Sequence, residues 1–90
     1  MTKNFTNRIA VKTSGVDVLN LKILSEIVAS FVGDSGEAEE VCYKDESFYC
    51  VTFKKVGDAE KFYDECNGVQ LDKTEATLTL FVVPDEVEFA

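Results

Sequence analysis

The residues that could do chemistry cluster around one stretch, Ser47-Phe48-Tyr49-Cys50-Val51-Thr52-Phe53, with cations at Arg8, Lys12, Lys44 and Lys54. Exposed rings on a strand stack on nucleobases and cations hold phosphates, so single-stranded nucleic acid is the first ligand to weigh. Metal and redox chemistry have less to work with. Cys42, Cys50 and Cys66 are odd in number, lack CxxC spacing, and have no histidine in the chain to complete a metal set. They read as small apolar fillers in a reduced, intracellular protein, with Cys42 and Cys50 expected to face each other across a hairpin. The acids Glu37, Glu39 and Glu40, and the pair Asp64 and Glu65, belong to no D-x-D-x-D-G loop and read as solvated surface.

The elements that position these residues follow from periodicity. Arg8 to Thr13 alternates Ile9 and Val11 with polar neighbours, the pattern of a half-buried strand. Leu21, Leu24, Ile27, Val28 and Phe31 recur at helical spacing over Val18 to Val32, with Asp17 as N-cap and Gly33 after the last turn. Glu39 to Lys44 and Phe48 to Lys54 make two strands of a hairpin, linked by Lys44-Asp45-Glu46-Ser47 and with Val41 and Tyr43 sharing one face. Asp58 to Asn67 puts Ala59, Phe62, Tyr63 and Cys66 on one helical face and stops at Asn67-Gly68. Ala76 to Val83 alternates Leu78, Leu80 and Val82 until Pro84 breaks it.

This order predicts an α+β, ferredoxin-like βαββαβ sandwich: a four-stranded antiparallel sheet with both helices on one face and strands one and three central. Ninety residues make one domain, 1–90, with 1–6 and 84–90 as terminal extensions. The bare sheet face should carry Arg8, Ala10 and Lys12, then Glu40, Cys42 and Lys44. Next come Phe48, Cys50, Thr52 and Lys54, then Thr77, Thr79 and Phe81.

In an RNA-recognition motif the third strand reads K/R-G-F/Y-G/A-F-V-x-F/Y. Glu46 to Phe53 laid on that pattern keeps Phe48, Val51 and Phe53, but puts Glu46 at the basic position, Tyr49 at a small one and Cys50 at the second stacking ring. The first strand offers Ala10 where a further ring belongs. Each base stacked on a ring is worth about 1 to 3 kcal/mol, so losing two of three platforms costs about 2 to 6 kcal/mol. The expected interaction face is Arg8, Ala10, Lys12, Phe48, Cys50, Lys54, Thr79 and Phe81, with Val87 and Phe89 in a tail able to fold back over it. Were Phe48 buried under that tail, docking would move to the helices.

Seventeen acids against nine bases leave a net charge of -8, which repels a phosphate backbone at long range. No apolar run approaches the length of a membrane helix and MTKNFTNR is no signal segment, so a soluble, unsecreted chain is expected. A small hydrolase on this fold would need an arginine in a glycine-rich anion cradle after strand one. Thr13-Ser14-Gly15-Val16 has none, and no nucleophile is paired with a base, so no enzyme is expected, with neither cofactor, metal nor small-molecule substrate.

Taken whole, FYCVTF, DAEKFYDECNGVQL and LTLFVVPDEVEF, with Asn7-Arg8-Ile9-Ala10-Val11 upstream, resemble the central domain of the nucleolar pre-rRNA-processing family called eighteen-S factor one. Phe62-Tyr63-Asp64-Glu65-Cys66-Asn67-Gly68 and Val83-Pro84-Asp85-Glu86 carry most of the specificity. Three departures stand out: Val16 where the family has tryptophan, Lys44 through Ser47 where it has a long insertion, and Phe81 where it has arginine. Family members are also far longer. The resemblance implies a nucleolar ribosome-biogenesis factor of the small-subunit pre-ribosome. Its partners would be assembly proteins, with pre-rRNA or small nucleolar RNA touched weakly or indirectly. Because the stacking residues are missing, protein contact is the expected mode, and a weak single-stranded RNA binder using Phe48 and the basic residues is the rival.

Overall fold

A computed structural model describes residues 5–71 and 77–89. Its elements are β1 (Arg8–Lys12), α1 (Val18–Val32), β2 (Gly36–Tyr43), β3 (Glu46–Phe53), α2 (Val56–Cys66) and β4 (Leu80–Val82). The strands form one antiparallel sheet in the order β2-β3-β1-β4, so β1 and β3 are central, as right-handed crossovers require.

α1 starts where the Asp17 carboxylate accepts the Asn20 amide proton at 2.8 Å and ends at Gly33, whose φ of 49° lies in the left-handed region that favours glycine. Leu24, Val28 and Val32, one turn apart, are buried against the sheet, while Ile27 and Phe31 are half-buried beside them. α2 begins two residues earlier than its periodicity suggests and buries Ala59, Phe62 and Cys66. Phe62 is the meeting point of the layers, its ring 5.2 Å from Phe31 on α1 and 5.5 Å from Phe53 on β3. Beneath both helices lie Ile9, Val11 and Val51, each fully buried.

The hairpin differs from expectation. β2 starts three residues early, at Gly36, where any Cβ would collide with the Thr52 carbonyl. Its link is two residues rather than four: Lys44 and Asp45 both have positive φ, 49° and 66°, so Tyr43 pairs with Glu46 across a tight turn of the primed kind. The facing of β2 is also reversed. Val41 pairs with Phe48 and Glu39 with Cys50, which puts Glu37, Glu39, Val41 and Tyr43 on the open face and Ala38, Glu40 and Cys42 on the helix side. Alternation along β2 separates dry from wet positions but does not say which layer dries them.

Glu40 and Cys42 are therefore not open-face residues, Lys44 sits in the turn, and Cys42 and Cys50 point to opposite sides of the sheet, where no cross-strand disulfide is possible. The expected strand Ala76–Val83 begins outside the described residues. Within them the continuous strand is Leu80–Val82, and Thr77 makes only an isolated bridge to Gln70. No helix among the described residues is long and apolar enough to cross a membrane.

Lys44 and Asp45 hold a conformation that costs L residues about 1 kcal/mol each. Replacing the pair by Asn-Gly should raise unfolding stability by about 1 kcal/mol in urea titration with the sheet unchanged.

Candidate interaction face

On the face away from the helices, β1 presents Ala10 between Cys50 of β3 and Phe81 of β4. Ala10 is small enough for the Phe48 and Phe81 rings to meet edge to face across β1, with centroids 6.0 Å apart and planes at 85°. Both rings lie on the face to which alternation assigns them, and they flank Ala10.

This face is covered by the chain's own C-terminal segment. Ala10, Val41, Phe48, Cys50 and Val83 form a second buried cluster, against which Val87 and Phe89 pack. Phe48 keeps only 8% of its surface and Cys50 only 2%. Phe89 also meets Tyr43 edge to face at 5.9 Å, so the segment reaches across the sheet to β2.

Polar anchors fix the cover at its start. Arg8 Nη2 donates to the carbonyl of Pro84 at 2.7 Å and to that of Asp85 at 3.3 Å, the Val83 amide donates to the Arg8 carbonyl at 3.0 Å, and the Thr6 hydroxyl donates to the Val83 carbonyl. Proline at 84 removes an amide that would otherwise need a partner where the segment leaves β4.

The expected cations are partly committed. Arg8 holds the tail. Lys12 lies 3.6 Å from Glu46, a half-exposed pair whose value is about 0 to 1 kcal/mol but which offsets the charge of that lysine. Lys44, moved into the turn, sits 5.4 Å over the Tyr43 ring. Lys54 lies one residue past β3 and is exposed, as is Thr79, whose carbonyl accepts the Lys12 amide. Burial of Phe48 under the tail is the condition under which docking was expected on the helices, and these do expose Val18 and Leu19 in the first turn of α1 and Val56 at the start of α2, but the sheet side keeps an exposed ring of its own.

What remains accessible is Phe81, at 47% exposure, beside a cleft of about 300 Å³. Ala10, Phe48, Tyr43, Val87 and Phe89 line it together with Lys44 and Glu46. Val41, Tyr43, Val83 and Thr6 belong to this site although the sequence reading omitted them. The signal for the first two was the Val41-Cys42-Tyr43 alternation itself, assigned to the other face.

The loop after β1 is arranged against anions. The Asp17 carboxylate occupies the amide of Asn20 and also accepts from its side-chain NH2 at 3.2 Å, so negative charge already caps the helix start.

Burial pushes the Cys50 thiol up from its ordinary value of 9.0, aided by Glu39 and opposed by Arg8 and a Thr52 hydrogen bond. Burial, then Glu65, does the same to Cys66. Both thiols are therefore held neutral, and the sign follows: the unfolded chain releases these protons at lower pH than the folded one. Unfolding stability should hold below the ordinary thiol pKa of 9.0 and fall as pH rises beyond it, with part of that fall missing in Cys50→Ala, as read by denaturation at stepped pH.

The cover gives a second expectation. Iodoacetamide should modify exposed Cys42 first and leave Cys50 and Cys66 protected, and deleting the residues after Val83 should expose Cys50 alone, raising its rate by about tenfold or more by mass spectrometry.

No family profile, no curated protein and no solved structure matches the chain.

Proposed function

We propose that this chain is a non-enzymatic, RRM-like protein-interaction module of a small-subunit ribosome-biogenesis factor, working in the nucleolus by docking onto pre-ribosomal assembly proteins. The observation that carries the reading is the sealing of Ala10, Phe48 and Cys50 under Val83, Val87 and Phe89. A base cannot stack on a ring already occupied by the chain's own side chains, so Phe48, the open-face aromatic kept from the RNA-binding pattern, is spent on the domain itself. The nucleolar setting rests on the family resemblance of FYCVTF, FYDECNG and VPDE.

The exposed chemistry suits a protein. Phe81 with the adjoining cleft offers an aromatic anchor and a recess for an apolar side chain. The exposed acids Asp85, Glu86 and Glu88 of the segment that covers the face, with the net charge of -8, favour a partner that brings cations.

Two measurements test this. In an amide NMR titration with pools of short single-stranded RNA, shifts at Ala10, Phe48 and Phe81 should be absent at near-physiological salt. Shifts that persist there would make the domain an RNA reader. In cells, Phe81→Glu should lower cosedimentation of the full-length protein with small-subunit precursors by about fivefold or more while leaving the fold intact, since it places a charge in the anchor position. Unchanged cosedimentation would remove the cleft from the interaction.

A further inference from the structure

β2 is an edge strand, and among the described residues β3 is the one strand that pairs with it. The register says which groups it offers. The Lys54 amide donates to the Ser35 carbonyl, one step beyond the Gly36–Phe53 pair, so that pair lacks mutual hydrogen bonds and the bonded pairs are those of Glu37, Glu39 and Val41. The N–H and C=O groups of Ala38, Glu40 and Cys42 consequently point away from β3, into solvent.

Beside this edge, on the helix side, runs a groove of about 350 Å³ between α1 and β2. Val28, Ala29 and Val32 form one wall, Ala38 the other, and Tyr49, whose hydroxyl is hydrogen-bonded to Ser25 at 3.0 Å, lies between them. Ala29 and Ala38 are both exposed and small, which leaves the groove unfilled where a larger side chain on either element would close it.

Charge selects among occupants. β2 carries Glu37, Glu39 and Glu40 and no lysine or arginine, and all three are exposed. A second copy of this chain paired edge to edge would set these carboxylates against each other, the arrangement by which edge strands resist self-association. A nucleic acid backbone is repelled for the same reason.

From the free edge, the apolar groove and the carboxylates we propose that β2 binds an extended basic peptide segment of a partner protein as a fifth strand. Added at the usual spacing of about 4.8 Å, such a strand turns alternate side chains to opposite faces. Those on the helix side enter the groove beside Ala29 and Ala38, and those on the open side meet Glu37 and Glu39. The segment recognised alternates cations with medium-sized apolar residues. This surface is separate from the Phe81 cleft, so its failure would leave the docking reading of that cleft untouched.

The test uses the intact chain and a short synthetic peptide of alternating lysine and valine, followed by amide NMR and hydrogen exchange. Saturable binding below about 1 mM is expected, with the largest shifts and slowed exchange at Ala38, Glu40 and Cys42 and side-chain shifts at Val28 and Val32. The same peptide N-methylated at every residue keeps its charges but cannot pair through either edge, and should bind about tenfold more weakly or worse. Glu37→Lys with Glu39→Lys should weaken the parent peptide by about tenfold. Three results would each overturn the proposal: no binding in that range, shifts confined to Phe81 and the C-terminal segment, or N-methylated peptide binding within about twofold of its parent.

Discussion

The packing of Val83, Val87 and Phe89 onto Ala10, Phe48 and Cys50 governs the open side of this domain. A four-stranded sheet with helices on one face leaves the other face to water or to a ligand, and here the chain supplies the cover itself. Several residue choices make sense only with that cover in place: alanine and cysteine at the centre of the face leave room for it, Arg8 is turned to the carbonyls of Pro84 and Asp85, and Phe89 reaches Tyr43 at the far strand. For so short a chain, a second buried cluster also adds apolar burial that one helix-side core could not provide.

Electrostatics follow the same division. Two cations of the open face are engaged locally, Arg8 by the tail and Lys12 by Glu46, while acids gather on β2 and in the C-terminal segment. The free edge is thereby guarded against pairing with its own kind and matched to partners of opposite charge.

How much of this the sequence revealed depended on which layer wrote the pattern. α1 was legible to the residue, because Asp17 and Gly33 are local signals and the apolar stripe between them faces a single core. Strand order followed from connection handedness alone. The face of β2 was misjudged because Val41 and Tyr43 are apolar toward the tail, a layer that shows no regular period of its own. The two-residue turn was obscured because Lys44-Asp45 lacks the glycine that usually marks it. At the site, the Phe48–Phe81 pairing could be read from alternation, whereas the burial of one ring and exposure of the other depended on where Val87 and Phe89 come to rest.

The C-terminal segment seals the sheet, and the most direct measurement of that seal is a side-chain NOESY spectrum of the free domain at neutral pH. Cross-peaks from Val87 and Phe89 to Ala10, Phe48 and Tyr43 are the result this account expects. Random-coil shifts for Asp85 to Phe89 with no such cross-peaks would contradict it, returning Phe48 to solvent and the open face to the ligands it would otherwise bind.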